Sequence, residues 1–275
     1  MPRLSIRGLE IEYVTHGDVT GPPLLLLMGT GAPLVFWEDQ FCDDLGRRGF
    51  HVIRFDARDT GRSSRIDGPV PLQVTELLAL LQAGRIAPAY RLEDLADDAI
   101  GLLDALVPGR PAHLLGISQG GAVAQLMALR SPDSVASMSL IASYTSDPAS
   151  PPPAHDTMSA LLTPIATDRD GMIARELLIY RLTGSRSRPT SEAWLRRRAE
   201  RLWDYGFHPQ GFLRHLLAVV TAENRRPAAR TARLRRVSGR SLAAVCCLRP
   251  EVLDCALPSW SASPPFGENN IERIQ

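Results

Sequence analysis

The 275-residue chain is 44% hydrophobic and carries 31 basic against 30 acidic side chains, a composition typical of a soluble globular protein with one large domain. This near-neutral charge gives no reason to propose nucleic acid or an anionic membrane as a partner. No segment resembles a signal peptide or a membrane span, so we expect a cytoplasmic location. The four cysteines lack metal-binding spacing, so neither a metal nor a cofactor is expected, and the oligomeric state stays open.

The first half of the chain alternates short apolar runs with amphipathic stretches. Short apolar runs are typical of strands in a parallel sheet that is covered on both faces. The stretches between them place apolar residues on one helical stripe and charged residues on the other. In order, the segments predict an edge hairpin at 4–14, strands at 23–28 and 51–55, and helices at 36–48 and 92–107.

The most informative local pattern is Gly-Ile-Ser-Gln-Gly at 116–120. An apolar run precedes it and a helix-forming stretch follows it, so the pattern predicts a strand, a sharp turn and a helix. The small residues Gly116 and Gly120 let the backbone turn tightly enough to hold the Ser118 hydroxyl above the sheet, at the positive end of the helix. A serine held in this way is positioned for nucleophilic attack.

The second half of the chain changes from mixed to purely helical patterns. An apolar run at 136–142 predicts one more strand, and the proline-rich segment 146–153 predicts a linker because proline removes donors and fixes the backbone. From about 155 to 225 the patterns are helical only, including 171–182 and 191–203. Together these features predict a doubly wound, mostly parallel α/β sheet with a helical cap over the edge where such sheets bind ligands.

Three motifs together resemble the α/β-hydrolase family. They are Leu-Met-Gly-Thr-Gly at 27–31, Arg-Phe-Asp-Ala-Arg-Asp-Thr-Gly-Arg-Ser at 54–63 and the serine pattern at 116–120. The first two are similar to those of the branch that contains aclacinomycin methylesterase and similar small-molecule carboxylesterases. The resemblance implies a serine hydrolase for carboxylic esters of small hydrophobic molecules, in which Ser118 forms an acyl-enzyme without a cofactor.

Ester hydrolysis builds negative charge on the carbonyl oxygen, so N–H donors fixed in advance at that point contribute most to the rate. The resemblance implies that these donors are the N–H of Gln119, directly after the serine, and the N–H of Thr30, in the loop after the third strand. Met28 stands where the family usually has His and leaves the backbone donor in place. The polar side chains of 56–62 are expected to fix their own loop by hydrogen bonds and an ion pair.

The C-terminal part departs from the family pattern. In the family a strand follows the cap, its loop carries an acidic residue, and a Gly-His pair comes later. Here the pattern ends near 234–237, a strand remains possible at 241–248, and no histidine follows His215. We therefore expect the C-terminal strand and helix to be incomplete, and both cap histidines, His208 and His215, to be structural.

The resemblance also sets the expected domain organisation. It implies an α/β-hydrolase core at 1–145, a linker and helical cap at 146–230, and a divergent remnant of the core's C-terminal part at 231–275. The resemblance implies a catalytic triad of serine, histidine and an acidic residue. Two positions are candidates for the acidic residue, Asp147 and Asp254. Neither supplies the missing histidine.

Two functional interpretations stay open. The first is the ester hydrolase with Ser118 as nucleophile. The second is a catalytically inert binding protein, or a defective gene product, that keeps the fold but lacks the triad histidine. The sharp turn that carries Ser118 is called the elbow below. A haloalkane dehalogenase is disfavoured because that chemistry uses a carboxylate, not a serine, at the elbow.

Overall fold

The computed structural model describes residues 1–68, 70–143, 159–160, 162–185, 189–222 and 242–245. Residues 242–245 are described by their backbone alone. This part of the chain forms one mixed sheet with helices on both faces. Within it, no helix is long and apolar enough to cross a membrane.

Seven strands of the described chain make up the sheet, in the spatial order β1-β2-β4-β3-β5-β6-β7. In chain order they are β1 (Arg3–Ile6), β2 (Leu9–His16), β3 (Pro23–Leu27), β4 (His51–Phe55), β5 (Ala112–Ile117), β6 (Val135–Ile141) and β7 (Leu242–Val245). β2 runs antiparallel to β1 and β4, whereas β3 to β7 run parallel. The predicted hairpin and parallel strands are confirmed, and β7 lies inside 241–248.

The helices follow the predicted order with two differences. They are α1 (Asp39–Arg47), α2 (Val74–Gln82), α3 (Leu92–Leu106), α4 (Gln119–Arg130), α5 (Arg169–Thr183), α6 (Glu192–Gly206) and α7 (Pro209–Val220). The helix predicted at 36–48 is too long, because Trp37 and Glu38 are extended between a short 3-10 helix and α1. α2 was not predicted, although Val74, Leu77 and Leu81 share the spacing of one helical face.

Both faces of the sheet are covered, as a doubly wound fold requires. Cys42 of α1 packs against Leu26 on one face, while Leu102 of α3 and Met127 of α4 share the opposite core with Leu25. Leu25 and Leu26 are neighbours in β3, and successive residues of a strand point to opposite faces. The uninterrupted apolar sequence of β3 is therefore buried on both sides.

The helices α5, α6 and α7 lie on the side where the parallel strands end. Leu202 of α6 packs against Leu34, in the loop region after β3, and Leu213 of α7 packs against Leu77 of α2. The predicted domain boundaries at 145 and 230 lie outside the described residues, as do the proline-rich segment and the final helix position. The division into core, cap and remnant stays a prediction.

Candidate active site

Ser118 lies at a sharp corner between β5, which ends at Ile117, and α4, which begins at Gln119. Its φ of 53° and ψ of −120° fall in a region that costs a non-glycine residue about 1–3 kcal/mol. The half-buried side chain therefore stands at the carboxyl end of a central strand and at the amino end of a helix, whose dipole favours negative charge. The predicted strand, turn and helix are confirmed.

Hydrogen bonds from the neighbouring strand hold this strained corner. The Ser118 N–H donates to the carbonyl oxygen of Ile141 at 2.9 Å, where β6 ends. The Ser143 hydroxyl donates to the Ser118 carbonyl oxygen, also at 2.9 Å. Strain of this kind persists only where the surroundings over-determine the backbone, and these contacts do so on both sides of Ser118.

The elbow glycines are required by close backbone approach. A Cβ on Gly116 would lie 2.6 Å from the Gly120 carbonyl oxygen, and one on Gly120 would lie 2.2 Å from the Leu27 carbonyl oxygen. Carbon and oxygen atoms that are not bonded do not approach so closely, so any side chain would push the elbow helix away from β3 and β5. The spacing of glycines around Ser118 is therefore a packing requirement of the corner.

The loop after β3 borders the serine. A Cβ on Gly29 would lie 3.4 Å from Ser118 Cβ and 4.0 Å from its Oγ, and Thr30 is the next residue. Gln119 is the first residue of α4, so its N–H belongs to the first turn, where backbone donors lack helical partners. Gln119 thus follows Ser118 directly and Thr30 follows the glycine that approaches it, and the role of both residues as oxyanion donors stays a prediction.

The side chain of Gln119 is held by a histidine from α7. His215 Nδ1 lies 2.9 Å from Gln119 Oε1, and Gln119 Nε2 donates to the His215 carbonyl oxygen at 3.3 Å. The other ring nitrogen, Nε2, lies 2.8 Å from the Arg58 carbonyl oxygen. Burial lowers the pKa of His215 to about 4, so the ring is neutral near pH 7. His215 is structural, as expected, but its contact with the residue after Ser118 was missed.

A buried ion pair joins α7 to the loop after β4. Arg214 donates to both carboxylate oxygens of Asp59, at 2.5 and 3.0 Å. Tyr90 also donates to this carboxylate, and His208 Nδ1 lies 3.4 Å from it. Burial acts to raise the pKa of Asp59, but His208 and Arg214 more than offset it and hold the pKa below its usual range. The pairing of Asp59 with Arg214 was not predicted either.

The remaining polar side chains of 56–62 fix their loop, as predicted. Arg58 donates to both carboxylate oxygens of Asp98, at 2.6 and 2.7 Å. Asp56 accepts from the backbone N–H of Leu34 at 2.7 Å and from the Tyr205 hydroxyl at 2.9 Å. Burial raises the pKa of Asp56 to about 6, against these hydrogen bonds. The loop after β3, where the oxyanion donor is predicted, is therefore tied to the end of β4.

The remaining histidines of the described structure in the strands have other surroundings and no hydrogen bond to Ser118. His16 bonds to Asp43 at 2.7 Å, His113 bonds to Ser137 at 2.8 Å, and His51 is buried at the start of β4. Three residues lie outside the described part of the chain: His155, Asp147 and Asp254. No hydrogen bond joins the Ser118 hydroxyl to any described histidine or carboxylate.

A mainly apolar cavity adjoins the elbow. Its lining comes from the loop after β3, the end of β4, α3, the start of α4 and α7: Leu27, Met28, Gly29, Ala32, Phe55, Ala57, Leu95, Gln119, Gly120, Val123 and His215. Ser118 is not part of this lining, whereas its neighbour Gln119 and the nearby Gly29 are.

Comparison with known proteins identifies the lineage. A family model described as alpha/beta hydrolase fold matches residues 22–176, more than half of the chain. Rhodomycin D methylesterase of a Streptomyces species (strain C5) is 34% identical over 143 residues, which are 51% of this chain and 42% of that protein. 3-Oxoadipate enol-lactonase 2 of Acinetobacter baylyi is 29% identical over 131 residues, 47% of this chain and 40% of that protein.

The matched segment thus spans less than half of each of these two relatives. A solved hydrolase structure from Pseudomonas aeruginosa superposes with a TM-score of 0.58 at 24% identity, covering 93% of this chain and 86% of that one. That likeness concerns the fold, and it agrees with the strand order and the elbow described above. The chain belongs to the family of proteins with the alpha/beta hydrolase fold.

Proposed function

We propose that the protein is a serine hydrolase that cleaves carboxylic esters of small hydrophobic molecules. The observation that carries this proposal is the strained backbone of Ser118, at φ 53° and ψ −120°, between a strand end and a helix start. Non-glycine residues held in such conformations cluster at active sites. The esterase and lactonase names of the relatives support the same reaction class.

The proposed reaction has two steps. Ser118 Oγ attacks the ester carbonyl, its proton passes to a base, and the alcohol leaves with a proton to give an acyl-enzyme. Water then attacks the acyl carbon, which releases the carboxylic acid and restores the serine. During both steps the N–H groups of Gln119 and Thr30 would stabilise the developing oxyanion, supported by the amino end of α4.

An inert binding protein with the same fold is the second candidate. It is favoured by the lack of any hydrogen bond between the Ser118 hydroxyl and a described histidine. Without a base, serine is a weak nucleophile at its ordinary pKa. The two candidates therefore differ in the reactivity of a single hydroxyl.

A fluorophosphonate probe separates the two candidates. The full-length chain should label at one site, and Ser118→Ala should abolish the labelling. Ser131→Ala, at the far end of α4 and bonded to Ser134, is the matched control and should label like the wild type. A folded wild-type protein that fails to label would reject the hydrolase and leave the inert binding protein.

A further inference from the structure

Two arginines of the cap helices lie against aromatic rings beside the loop after β3. The Arg175 Cζ atom of α5 is 5.1 Å from the ring centre of Phe212, and the Arg198 Cζ atom of α6 is 4.1 Å from the ring centre of Phe36. Guanidinium groups stack on aromatic faces in this way while their N–H groups stay free to bind an acceptor.

These two rings border the loop that approaches Ser118. A Cβ on Gly31, where φ is +59°, would lie 2.6 Å from Phe212 Cα, so glycine lets α7 contact the loop directly. Phe36 ends the short 3-10 helix that follows the same loop. The loop's Gly29 lies against Ser118 at its other end. The ring of Phe212 thus belongs to a helix that contacts this loop, and the ring of Phe36 follows the loop in the chain.

The charge of Arg175 is poorly compensated among the described residues. Its side chain is 8% exposed, and its closest carboxylate, Glu176, lies 3.7 Å from Nη1, beyond hydrogen-bonding distance. Arg175 Nε is buried without a hydrogen-bond partner. Burial lowers the pKa of Arg175, and the Glu176 carboxylate opposes this only in part.

Arg198 adds a second positive charge near the same carboxylate. Burial lowers the pKa of Arg198, with Glu176 and Glu38 acting in the opposite direction. Glu38 is itself hydrogen-bonded to Arg201, at 3.0 Å. Two partly desolvated guanidiniums therefore depend mainly on one carboxylate, which leaves the region with an unpaired positive charge.

We infer that Arg175 and Arg198 form a subsite for an ionised carboxylate on the substrate, so that preferred esters carry a second acidic group away from the scissile bond. A ligand carboxylate accepts two parallel hydrogen bonds from a guanidinium and supplies the missing charge. Such a bond is strong in a site from which water is largely excluded, because the arginine has already lost its hydration. This inference rests on the proposed hydrolase function, since it names the substrate class of that site.

Matched esters test the inference. Monomethyl adipate carries a free carboxylate, whereas dimethyl adipate has the same chain without the charge. For the wild type we expect kcat/KM at least about tenfold higher for the monoester than for the diester, and Arg175→Met should bring this ratio close to one. Arg198→Met should act in the same direction. Arg196→Met, on the exposed face of α6, is the control and should keep the preference.

A binding measurement makes the inference independent of catalysis. Hexanoate and hexanamide have similar shapes and differ in charge, so ligand-observed NMR should give a dissociation constant at least about tenfold lower for hexanoate, and Arg175→Met should abolish the difference. If Arg175→Met fails to fold, Arg175→Lys keeps the charge but not the two-pronged geometry and should weaken hexanoate binding.

The two readouts separate this inference from the hydrolase proposal. Preferential hexanoate binding by a protein that neither labels nor hydrolyses would support the carboxylate subsite and reject the hydrolase. Labelling at Ser118 with equal rates for both esters and equal binding of hexanoate and hexanamide would support the hydrolase and overturn the subsite.

Discussion

His215 Nδ1 lies 2.9 Å from the side-chain oxygen of Gln119, the residue directly after Ser118. The other nitrogen of the ring faces the Arg58 carbonyl oxygen at 2.8 Å. A neutral imidazole has one N–H and can donate to only one of two oxygens, whereas an imidazolium donates to both. The ring therefore links α7, the loop after β4 and the start of the elbow helix, and its protonation state sets how many of these links are hydrogen bonds.

Replacing this imidazole should disturb Gln119, the predicted oxyanion donor, without removing a proposed reacting group. His215→Ala removes the ring contacts of the Gln119 side-chain oxygen and the Arg58 carbonyl oxygen, at about 1–3 kcal/mol for each buried polar group left unsatisfied. We expect lower stability in urea and a fluorophosphonate labelling rate about tenfold lower per folded molecule, because the Gln119 N–H loses its fixed position.

His16→Ala is the control for this variant. His16 bonds to Asp43 on the outside of the sheet, so its loss should leave the labelling rate unchanged. A labelling rate for His215→Ala equal to that of His16→Ala would show that His215 only fills space.

Breaking the ion pair between Asp59 and Arg214 should cost far more than breaking an exposed pair. Both side chains are almost completely buried, and Asp59→Asn leaves the Arg214 charge without its partner, at about 3–5 kcal/mol. Asp97→Asn, which breaks a partly exposed pair with Arg130, should cost about 1 kcal/mol or less. Urea denaturation of the two variants measures the difference.

A second substitution tests the physical reason for that cost. If the loss comes from an uncompensated buried charge, adding Arg214→Met to Asp59→Asn should restore part of the stability. A double variant that is less stable than Asp59→Asn alone would contradict this account and point to lost packing of the Arg214 stem instead.

The contacts around His215 and Asp59 show where sequence reasoning stops. The strands and the elbow could be predicted from local patterns, because an apolar run or a pair of glycines around Ser118 determines the local backbone within a few residues. His215 meets Gln119 across 96 positions, and Arg214 meets Asp59 across 155. No local pattern sets such a pairing, since it depends on where α7 crosses the strand ends.

For the same reason, the helices of the cap could be predicted from the sequence but the packing of their side chains could not. The helical periodicity of α5 and α6 predicts their existence, but periodicity cannot tell which polar side chain faces inward. Arg175 occupies an ordinary position in a helix, and only packing against Phe212 reveals its burial. In the sequence, a buried arginine cannot be distinguished from an exposed one.

Protonation of His215 should make stability depend on pH in a defined window. The pKa of His215 is about 4 in the fold, compared with 6.5 in its ordinary state. Above pH 6.5 the ring is neutral in both folded and unfolded chains. As the pH falls below 6.5 the unfolded chain binds a proton that the folded chain refuses, so stability is lost until the pH reaches about 4. The total loss is roughly 3 kcal/mol.

Protonation of Asp56 changes stability in the opposite direction from protonation of His215. The His215 contribution must therefore be measured as a difference between two proteins. The pKa of Asp56 is raised from 3.8 to about 6, so the folded chain binds a proton before the unfolded chain does, and stability rises as the pH falls through 6. Subtracting the urea stability of His215→Gln from that of the wild type at each pH cancels the Asp56 contribution. The difference should fall between pH 6.5 and 4, and a flat difference would show that His215 titrates normally in the fold.

The strain at Ser118 predicts an unusual order of stability for two inactive variants. Both Ser118→Ala and Ser118→Gly remove the hydroxyl, but only glycine adopts a φ of 53° without steric cost. The relief of about 1–3 kcal/mol exceeds the roughly 0.5–1 kcal/mol that glycine costs through its greater freedom in the unfolded chain. Ser118→Gly should therefore be more stable than Ser118→Ala, whereas at Ser131, where φ is −137°, the alanine variant should be the more stable. If the alanine variant were the more stable one at both positions, the elbow would not be strained.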